Sequence, residues 1–325
     1  MSRTSIDWSR LAEMRQVFLQ GTPRPADYWR SESDLVAYDA TFAQRIGWKW
    51  DFVFQELRER GWTPPAGALL DWGCGSGIAI RRFLDHFGTR TPGRLHVWDR
   101  SALAMDFALR RVRERHPHLA ADASGTSPGS FSGTLLISHV LTELAPPQIE
   151  WLTRFATTAT CILWVEPGTY AASRMLIGVR EQLRSQFKVI APCPHQERCG
   201  LLAAENARHW CHHFASPPAY IFTDGHWTQF ARLMGIDLRS LPLSFLVLDR
   251  RPPVELPAGA VRLIGHPRCY KGYALLLGCD STGVGERRLT QRKFPAEFKR
   301  LKKGKLDGLC HWQCTGGEVV QLTPL

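Results

Sequence analysis

The seven residues Asp71-Trp72-Gly73-Cys74-Gly75-Ser76-Gly77 constrain this chain more than any other stretch. They close a short apolar run, Ala68 to Asp71, and lead at once into the helical pattern Ile78 to Phe87. Three alternate glycines permit a tight turn and admit a ligand to the helix N-terminus, where unsatisfied N–H groups and the helix dipole favour negative charge. A second run, Leu95 to Asp99, ends in an acid 28 residues beyond Asp71. Strand, glycine turn, helix and second strand with a terminal acid form the opening of a doubly wound α/β sheet.

The rest of the middle region keeps that rhythm. Thr134 to Ser138 and Cys161 to Glu166 read as further buried strands, and Ala102 to Arg115 and Gln148 to Phe155 as the helices between them. The Ser/Gly/Ala-rich stretch 120–133 reads as an exposed loop where a third strand might have stood. Before this region, Leu35, Tyr38, Phe42, Ile46, Trp50 and Phe54 recur at three- and four-residue steps, the pattern of one helix face packed on a core. After it, Leu243 to Leu248 resumes as a strand, Arg251 to Pro257 reads as a linker, and Val261 to Leu289 as a β-rich module. The expected organisation is an N-terminal helical segment (1–62), a Rossmann-like domain (63–250) with a Cys-rich insertion at 192–218, and a small basic β-rich C-terminal module (251–325).

An acid at the end of the second strand can accept bonds from two ribose hydroxyls, so Asp99 indicates an adenosine ligand. A dinucleotide fingerprint runs G-x-G-x-x-G, whereas this turn runs G-x-G-x-G with Asp71 two residues before its first glycine. Such an acid suits a cationic methionine ammonium and repels a pyrophosphate. The turn therefore resembles the first motif of the class I methyltransferases, which implies S-adenosylmethionine held by Asp71, Gly73, Gly75, Gly77, Asp99 and Ser138. Cys74 is most simply a small residue filling space.

Nine cysteines form an odd set, and three of them, Cys193, Cys199 and Cys211, fall in a Pro-interrupted polar stretch rich in His. Packing has no need of several thiols in such a loop, so metal binding explains them better than core filling does. Spacing alone favours zinc, with His195, His209, His212 or His213 able to complete a tetrahedral site, and ranks an iron–sulfur cluster second. Cys269 and Cys279 compete for a fourth position, Cys161 reads as core, and Cys310 and Cys314 are either a second pair or exposed thiols.

The chain has 325 residues, 44% hydrophobic and 22% charged, which excludes a disordered protein and a disulfide-stapled miniprotein. No run approaches the roughly 18 apolar residues that span a bilayer, and the first 25 residues, with Asp7 and Glu13, lack the pattern of a secretory signal. No membrane partner is expected, and cytoplasm is the default compartment. The net charge of +11 favours a polyanion. Most of it is local. The stretch 287–305 holds Arg287, Arg288, Arg292, Lys293, Lys299, Arg300, Lys302, Lys303 and Lys305 against one acid, Glu297, a credible RNA contact with Phe294 and Phe298 available to stack or anchor.

Several separated segments together resemble the methyltransferase-like protein 17 family of bacterial and mitochondrial small-ribosomal-subunit proteins. They are Tyr38 to Phe42, Asp71 to Gly77, Ser138 to Leu144, Trp164 to Thr169, Cys193-Pro194-His195, Trp210-Cys211-His212, and Lys271-Gly272 running into Leu277-Gly278-Cys279. The resemblance implies a class I methyltransferase fold, a partnership with small-subunit rRNA during assembly or translation, and a [4Fe–4S] cluster held by Cys193, Cys199, Cys211 and Cys279, which displaces zinc as first choice. It also adds the mitochondrial matrix as the compartment of a eukaryotic member. His213 lengthens the family's Trp-Cys-His-Phe run.

Catalysis is less clearly written. The Asn/Asp-Pro-Pro-Tyr/Phe cradle for an amino-group target is absent after the Thr134 strand, where Ser138-His139-Val140 stands instead. His139 and Glu143 are the candidates for a base or target positioner, with strand-end packing or helix capping equally open. Three functions follow: a cluster-bearing S-adenosylmethionine binder docking on small-subunit rRNA, an active rRNA methyltransferase with a structural zinc, and a small-molecule methyltransferase.

Overall fold

The computed structural model describes residues 6–19, 28–88, 92–123, 129–304 and 308–325. Lys305 and residues 124–128 of the expected loop lie outside them. In chain order the elements begin α1 Trp8–Leu19, α2 Glu32–Asp39, α3 Phe42–Glu59, β1 Gly67–Trp72, α4 Ile78–Phe87, β2 Pro92–Trp98, α5 Ala102–Arg115 and β3 Ala121–Ala123. They continue β4 Gly133–Ser138, α6 Pro146–Ala156, β5 Cys161–Pro167, α7 Tyr170–Leu183, β6 Lys188–Ala191, β7 His213–Phe214, α8 Gly225–Met234 and β8 Pro242–Asp249. The last are β9 Ala260–Cys269, β10 Tyr273–Asp280, β11 Gly283–Thr290, α9 Pro295–Lys302, β12 Leu309–Thr315 and β13 Glu318–Pro324.

The chain folds as two compact units, each drawn from two stretches of sequence. The first comprises residues 1–166 and 215–242, the second 167–214 and 243–325. In the first, β3-β2-β1-β4-β5 run side by side, all parallel, the strand order of a Rossmann-like methyltransferase fold. Strands β1, β4 and β5 are nearly continuous apolar runs because helices cover both faces of a parallel sheet. Ser101 starts α5 by accepting the Ala104 N–H at 3.3 Å, and Pro146 opens α6.

Two expectations change here. The stretch 120–133 is not wholly loop: Ala121–Ala123 pairs with β2 in parallel, Leu95 opposite Ala121. Three residues with one buried side chain leave no apolar run to announce a strand. The aromatic stripe from Leu35 to Phe54 belongs to two helices, broken at Ala40-Thr41, where the Thr41 hydroxyl donates back to the Ala37 carbonyl at 2.6 Å. The same corner fixes α2 against the sheet helices, since Asp39 takes Arg81 and, at 3.3 Å, Arg111.

The second unit holds α7, an antiparallel pair of β6 with β8, the two-residue β7 beside β8, and a closed barrel in the order β10-β11-β13-β12-β9. Its core is Val261, Leu276, Leu289, Phe298 and Leu301 with their neighbours. Beyond the Val261 to Leu289 run the β structure continues to Pro324, within the expected module 251–325. The Cys-rich stretch 192–218 divides between the two units. Its residues to Phe214 belong with α7 and the barrel, and Ala215 to Pro218 return to the first unit. Among the described residues, no helix is long and apolar enough to cross a membrane.

Candidate functional site

The glycine turn stands at the carboxyl end of β1, beside the switch between β1 and β4 where ligands of open α/β sheets bind. Gly73, Gly75 and Gly77 take φ values of 72°, 50° and 74°, a left-handed run that side chains resist. The reasons differ along the turn. A Cβ on Gly77 would lie 2.9 Å from the Ala108 Cβ, so this glycine lets α4 pass close to α5, whereas a Cβ on Gly75 would meet nothing within 4 Å and would project into open space. The Gly73 and Cys74 N–H groups donate to the Trp98 carbonyl at 2.7 and 3.0 Å, tying the turn to the end of β2.

Both predicted acids are at this turn. Asp99 accepts the Gly75 N–H at 3.0 Å with one oxygen and the Ser101 N–H at 3.0 Å with the other, which fixes its carboxylate. Asp71 is fully buried. Its Oδ2 accepts the Ile80 N–H at 3.3 Å, and its Oδ1 has no partner. Burial, reinforced by the nearby Asp99 carboxylate, pushes its pKa up to about 8. A buried orphan acceptor costs free energy until a donor arrives. A ligand ammonium is such a donor, so this turn fits the cationic methionine end of S-adenosylmethionine.

The end of β4 holds groups that sequence reasoning did not combine. Ser138 accepts the Trp50 indole N–H at 3.0 Å. His139 sits at φ 57°, the sole non-glycine residue at positive φ among those described, with its Nε2 3.5 Å from the Lys49 Nζ. Strain of this kind needs support from its surroundings; here the His139 N–H donates to the Val165 carbonyl at 2.8 Å. Burial, with Arg45 nearby, lowers the Lys49 pKa to about 7, and burial beside Lys49 drives that of His139 well down. Glu166 accepts from the Val140 and Leu141 N–H groups, each at 3.1 Å, and from the Trp164 indole at 2.8 Å, while its Oε2 has no partner. Burial raises it to about 7 against those donors. Glu143 follows in a single 3₁₀ turn, Leu141–Glu143, and its charge reaches Tyr28 and Tyr38. The N-terminal helices thus do more than pack: α3 brings Lys49 and Trp50 to the strand end.

In the second unit the four predicted thiols are gathered from distant stretches. Cys193, Cys199 and Cys211 line one small pocket of about 30 Å³, together with Ser173, Ile177 and Arg180. Cys279 is buried at 6% exposure, packs in the same cluster as Cys199, and lies 3.4 Å from the His195 Nε2. Burial, then the other thiols, raises the Cys199 pKa to about 11 and pushes Cys211 and Cys279 higher still. The Cys211 carbonyl accepts from the Ser173 and Ser244 hydroxyls at 2.7 and 2.6 Å, so its backbone is held from two sides. Cys269 is exposed and Cys279 buried. Cys310 is buried in the barrel and Cys314 exposed, so the two do not face one environment. Among the described residues, no group of three or more His, Cys, Asp or Glu side chains stands in metal-holding geometry. The thiols are soft donors of the kind a thiophilic group takes, gathered in one neighbourhood without metal-holding spacing.

The basic stretch is not one patch. Arg287 and Arg288 are adjacent in β11 and so point to opposite faces. Arg292, Lys293, Lys299, Arg300, Lys302 and Lys303 are exposed, with Lys293 3.1 Å from Glu318. Phe298 is 2% exposed inside the barrel core, with Phe294 packed against that core, so these rings anchor the stretch.

Among solved structures the chain is similar to the plantazolicin methyltransferase BpumL, solved with a monoazolic desmethylPZN analog and SAH, at 12% identity over 75% of this chain and 100% of that one, TM-score 0.39. A geranyl diphosphate methyltransferase in complex with SAM shares 12% identity over 70% and 93%, TM-score 0.38. A SAM-dependent methyltransferase from Aquifex aeolicus shares 13% over 50% and 90%, TM-score 0.37. No curated protein matches the sequence. The model of the family described as mitochondrial small ribosomal subunit Rsm22 matches residues 54–307, a span that takes in the glycine turn, Asp99, His139 and all four clustered thiols. The chain belongs to the mitochondrial small ribosomal subunit Rsm22 family.

Proposed function

We propose that this chain binds S-adenosylmethionine, carries a [4Fe–4S] cluster on Cys193, Cys199, Cys211 and Cys279, and docks on small-subunit rRNA during assembly or translation. The observation that carries the first part is the unpartnered Oδ1 of buried Asp71 beneath a left-handed glycine turn. In this reading Asp71 takes the ligand ammonium, Asp99 the ribose hydroxyls, and Gly75 leaves room for the ligand backbone. The bound cofactor supplies an electrophilic methyl group. Lys49, which burial leaves about half protonated near pH 7, and His139, which burial keeps neutral there, are the groups able to hold or accept a proton from an acceptor at the end of β4.

The cluster reading is supported by the gathering of Cys193, Cys199, Cys211 and Cys279 from distant stretches into one neighbourhood, and by burial of Cys279 against exposure of Cys269. The guanidinium of Arg180 is beside Cys193, and a cation there would stabilise thiolate ligands. The docking reading is supported by family membership and by the exposed cations of the 287–305 stretch. The compartment follows the host: cytoplasm in a bacterium, mitochondrial matrix in a eukaryote.

The pairing of Lys49 with His139 favours a second reading, an active rRNA methyltransferase whose metal site is structural zinc. Tritium transfer from labelled S-adenosylmethionine to immature small-subunit RNA separates the two. Transfer that disappears with Asp71→Ala supports catalysis, and binding of the cofactor without transfer supports the docking role. Failure to co-sediment with small subunits at low salt would leave the small-molecule methyltransferase.

A further inference from the structure

The C-terminal barrel is more informative than its charge. Counted from β9, its five strands close in the order 1-2-3-5-4, the third and fifth are parallel at Arg288 opposite Glu318, and a helix, α9, joins the third to the fourth. That is the topology of an OB-fold, whose second and third strands, flanked by the loops between strands 1–2 and 4–5, form a platform for oligonucleotides.

The outward residues of that platform follow from strand register. Tyr273, Leu275, Leu277 and Cys279 on β10 stand opposite Thr290, Arg288, Glu286 and Val284 on β11. One end is covered. Cys199 and Leu201 pack with Ile264 and Cys279, with Leu277 and Val284 against them. Gly200 lies so close that a Cβ there would be 2.7 Å from the Val284 nitrogen. Asn206 completes the seam, its amide donating to the Gly200 and Val284 carbonyls at 3.0 and 3.2 Å.

The other end is open and built differently. Tyr270, in the loop between β9 and β10 and 43% exposed, stacks on Tyr273 with ring centroids 4.9 Å apart and planes within 16°. Arg288 lies over the Tyr273 ring at 4.4 Å. The second flanking loop meets the same place, for the Arg288 N–H donates to the Gly317 carbonyl at 3.0 Å. Lys271 and Arg268 are exposed beside the stack, and the two acids by this face are each paired with a cation, Glu286 with Arg268 and Glu318 with Lys293. Two parallel rings with a guanidinium on them, edged by cations, match the requirements of unpaired bases on a phosphate backbone.

We infer that the open half of this platform, centred on Tyr270, Tyr273 and Arg288, binds a short single-stranded RNA segment. The inference deepens the docking part of the proposed function by naming its surface and strand type, and it requires neither the cofactor nor the cluster. The exposed cations of α9 then act as strand-independent phosphate contacts.

The test is fluorescence anisotropy of the full chain with a labelled ten-nucleotide single-stranded RNA and its duplex, each across a salt series. Tyr270→Ala should weaken single-strand binding about tenfold with an unchanged salt slope, Tyr270→Phe should restore it, and Arg288→Ala should weaken it and reduce the slope by about one. Lys299→Gln/Lys302→Gln should weaken duplex and single strand alike. Melting curves establish that each variant is folded; Tyr270 is exposed, so its removal leaves the barrel core intact. Wild-type single-strand affinity in both Tyr270→Ala and Arg288→Ala overturns the inference, as does duplex binding as tight as that of the single strand. Loss of single-strand binding in Tyr270→Ala supports it even where the wild type fails to sediment with small subunits, which is failure of the docking proposal itself.

Discussion

The Nζ of Lys49 lies 3.5 Å from the Nε2 of the half-buried His139, and Lys49 is buried within reach of the Glu166 carboxylate. A lysine held at about pKa 7 binds its proton more weakly folded than unfolded, where the value is 10.5. Its cost is absent above pH 10.5, grows as pH falls toward 7, and is constant below. Lys49→Met should therefore raise stability at pH 7 by about 1 to 4 kcal/mol, with the gain shrinking toward pH 10. Urea unfolding of both proteins at several pH values checks this; an equal difference at every pH refutes the buried-lysine reading.

Asp71 predicts the pH dependence of cofactor binding. Its carboxyl is held at about pKa 8 and must ionise to meet an ammonium, so a proton leaves as the ligand enters. Affinity for S-adenosylmethionine should rise about tenfold per pH unit below pH 7.5 and fall again above about 8, where the ligand's own ammonium loses its proton. Calorimetry in buffers of different ionisation enthalpy should detect the released proton. Asp71→Asn should bind weakly and lack the slope.

Gly75 and Gly77 share a backbone conformation and differ in surroundings, so their alanine variants should fail differently. Gly77→Ala adds left-handed strain and a clash with Ala108, costing roughly 2 to 4 kcal/mol in denaturant unfolding. Gly75→Ala meets no protein atom and should cost only about 1 to 2 kcal/mol while abolishing cofactor binding. Equal stability losses with retained binding would remove Gly75 from the pocket.

Anaerobic purification with iron, sulfide and zinc analysis decides the thiol site. Cys279→Ser should deplete metal and lower solubility together, because a structural metal contributes folding free energy. Cys269→Ser, at an exposed position, should leave metal content unchanged. Stoichiometric zinc without iron in the wild-type protein replaces the cluster with a structural zinc site.

The Rossmann core was legible because each of its elements carries its own periodicity. Ile78–Phe87 and Ala102–Arg115 have the bounds that their spacing predicts, and the glycine turn announces its neighbours. The site at the end of β4 was less so. Lys49 falls within an amphipathic helix where a lysine reads as a solvated residue, and only the passage of α3 past Ser138 and His139 buries it. The strands of the barrel were partly visible, but not its closure. Pairing of β9 with β12 and of β11 with β13 joins residues far apart in sequence, and an alternating pattern states which face is inward without naming the neighbour. For the same reason Arg287 and Arg288 read as one cluster of charge although they serve opposite faces.

The interrupted course of the second unit has a consequence for synthesis. Its first half, residues 167–214, leaves the ribosome before residues 215–242, which belong to the other unit, and before the barrel exists. Cys193, Cys199 and Cys211 are then made while Cys279 is still 68 residues from Cys211, and the strand that carries it has no sheet to join. A chain stopped short of β10 would present three of these thiols and lack the fourth, so under the proposed cluster complete metal loading would report that translation has passed the barrel's second strand.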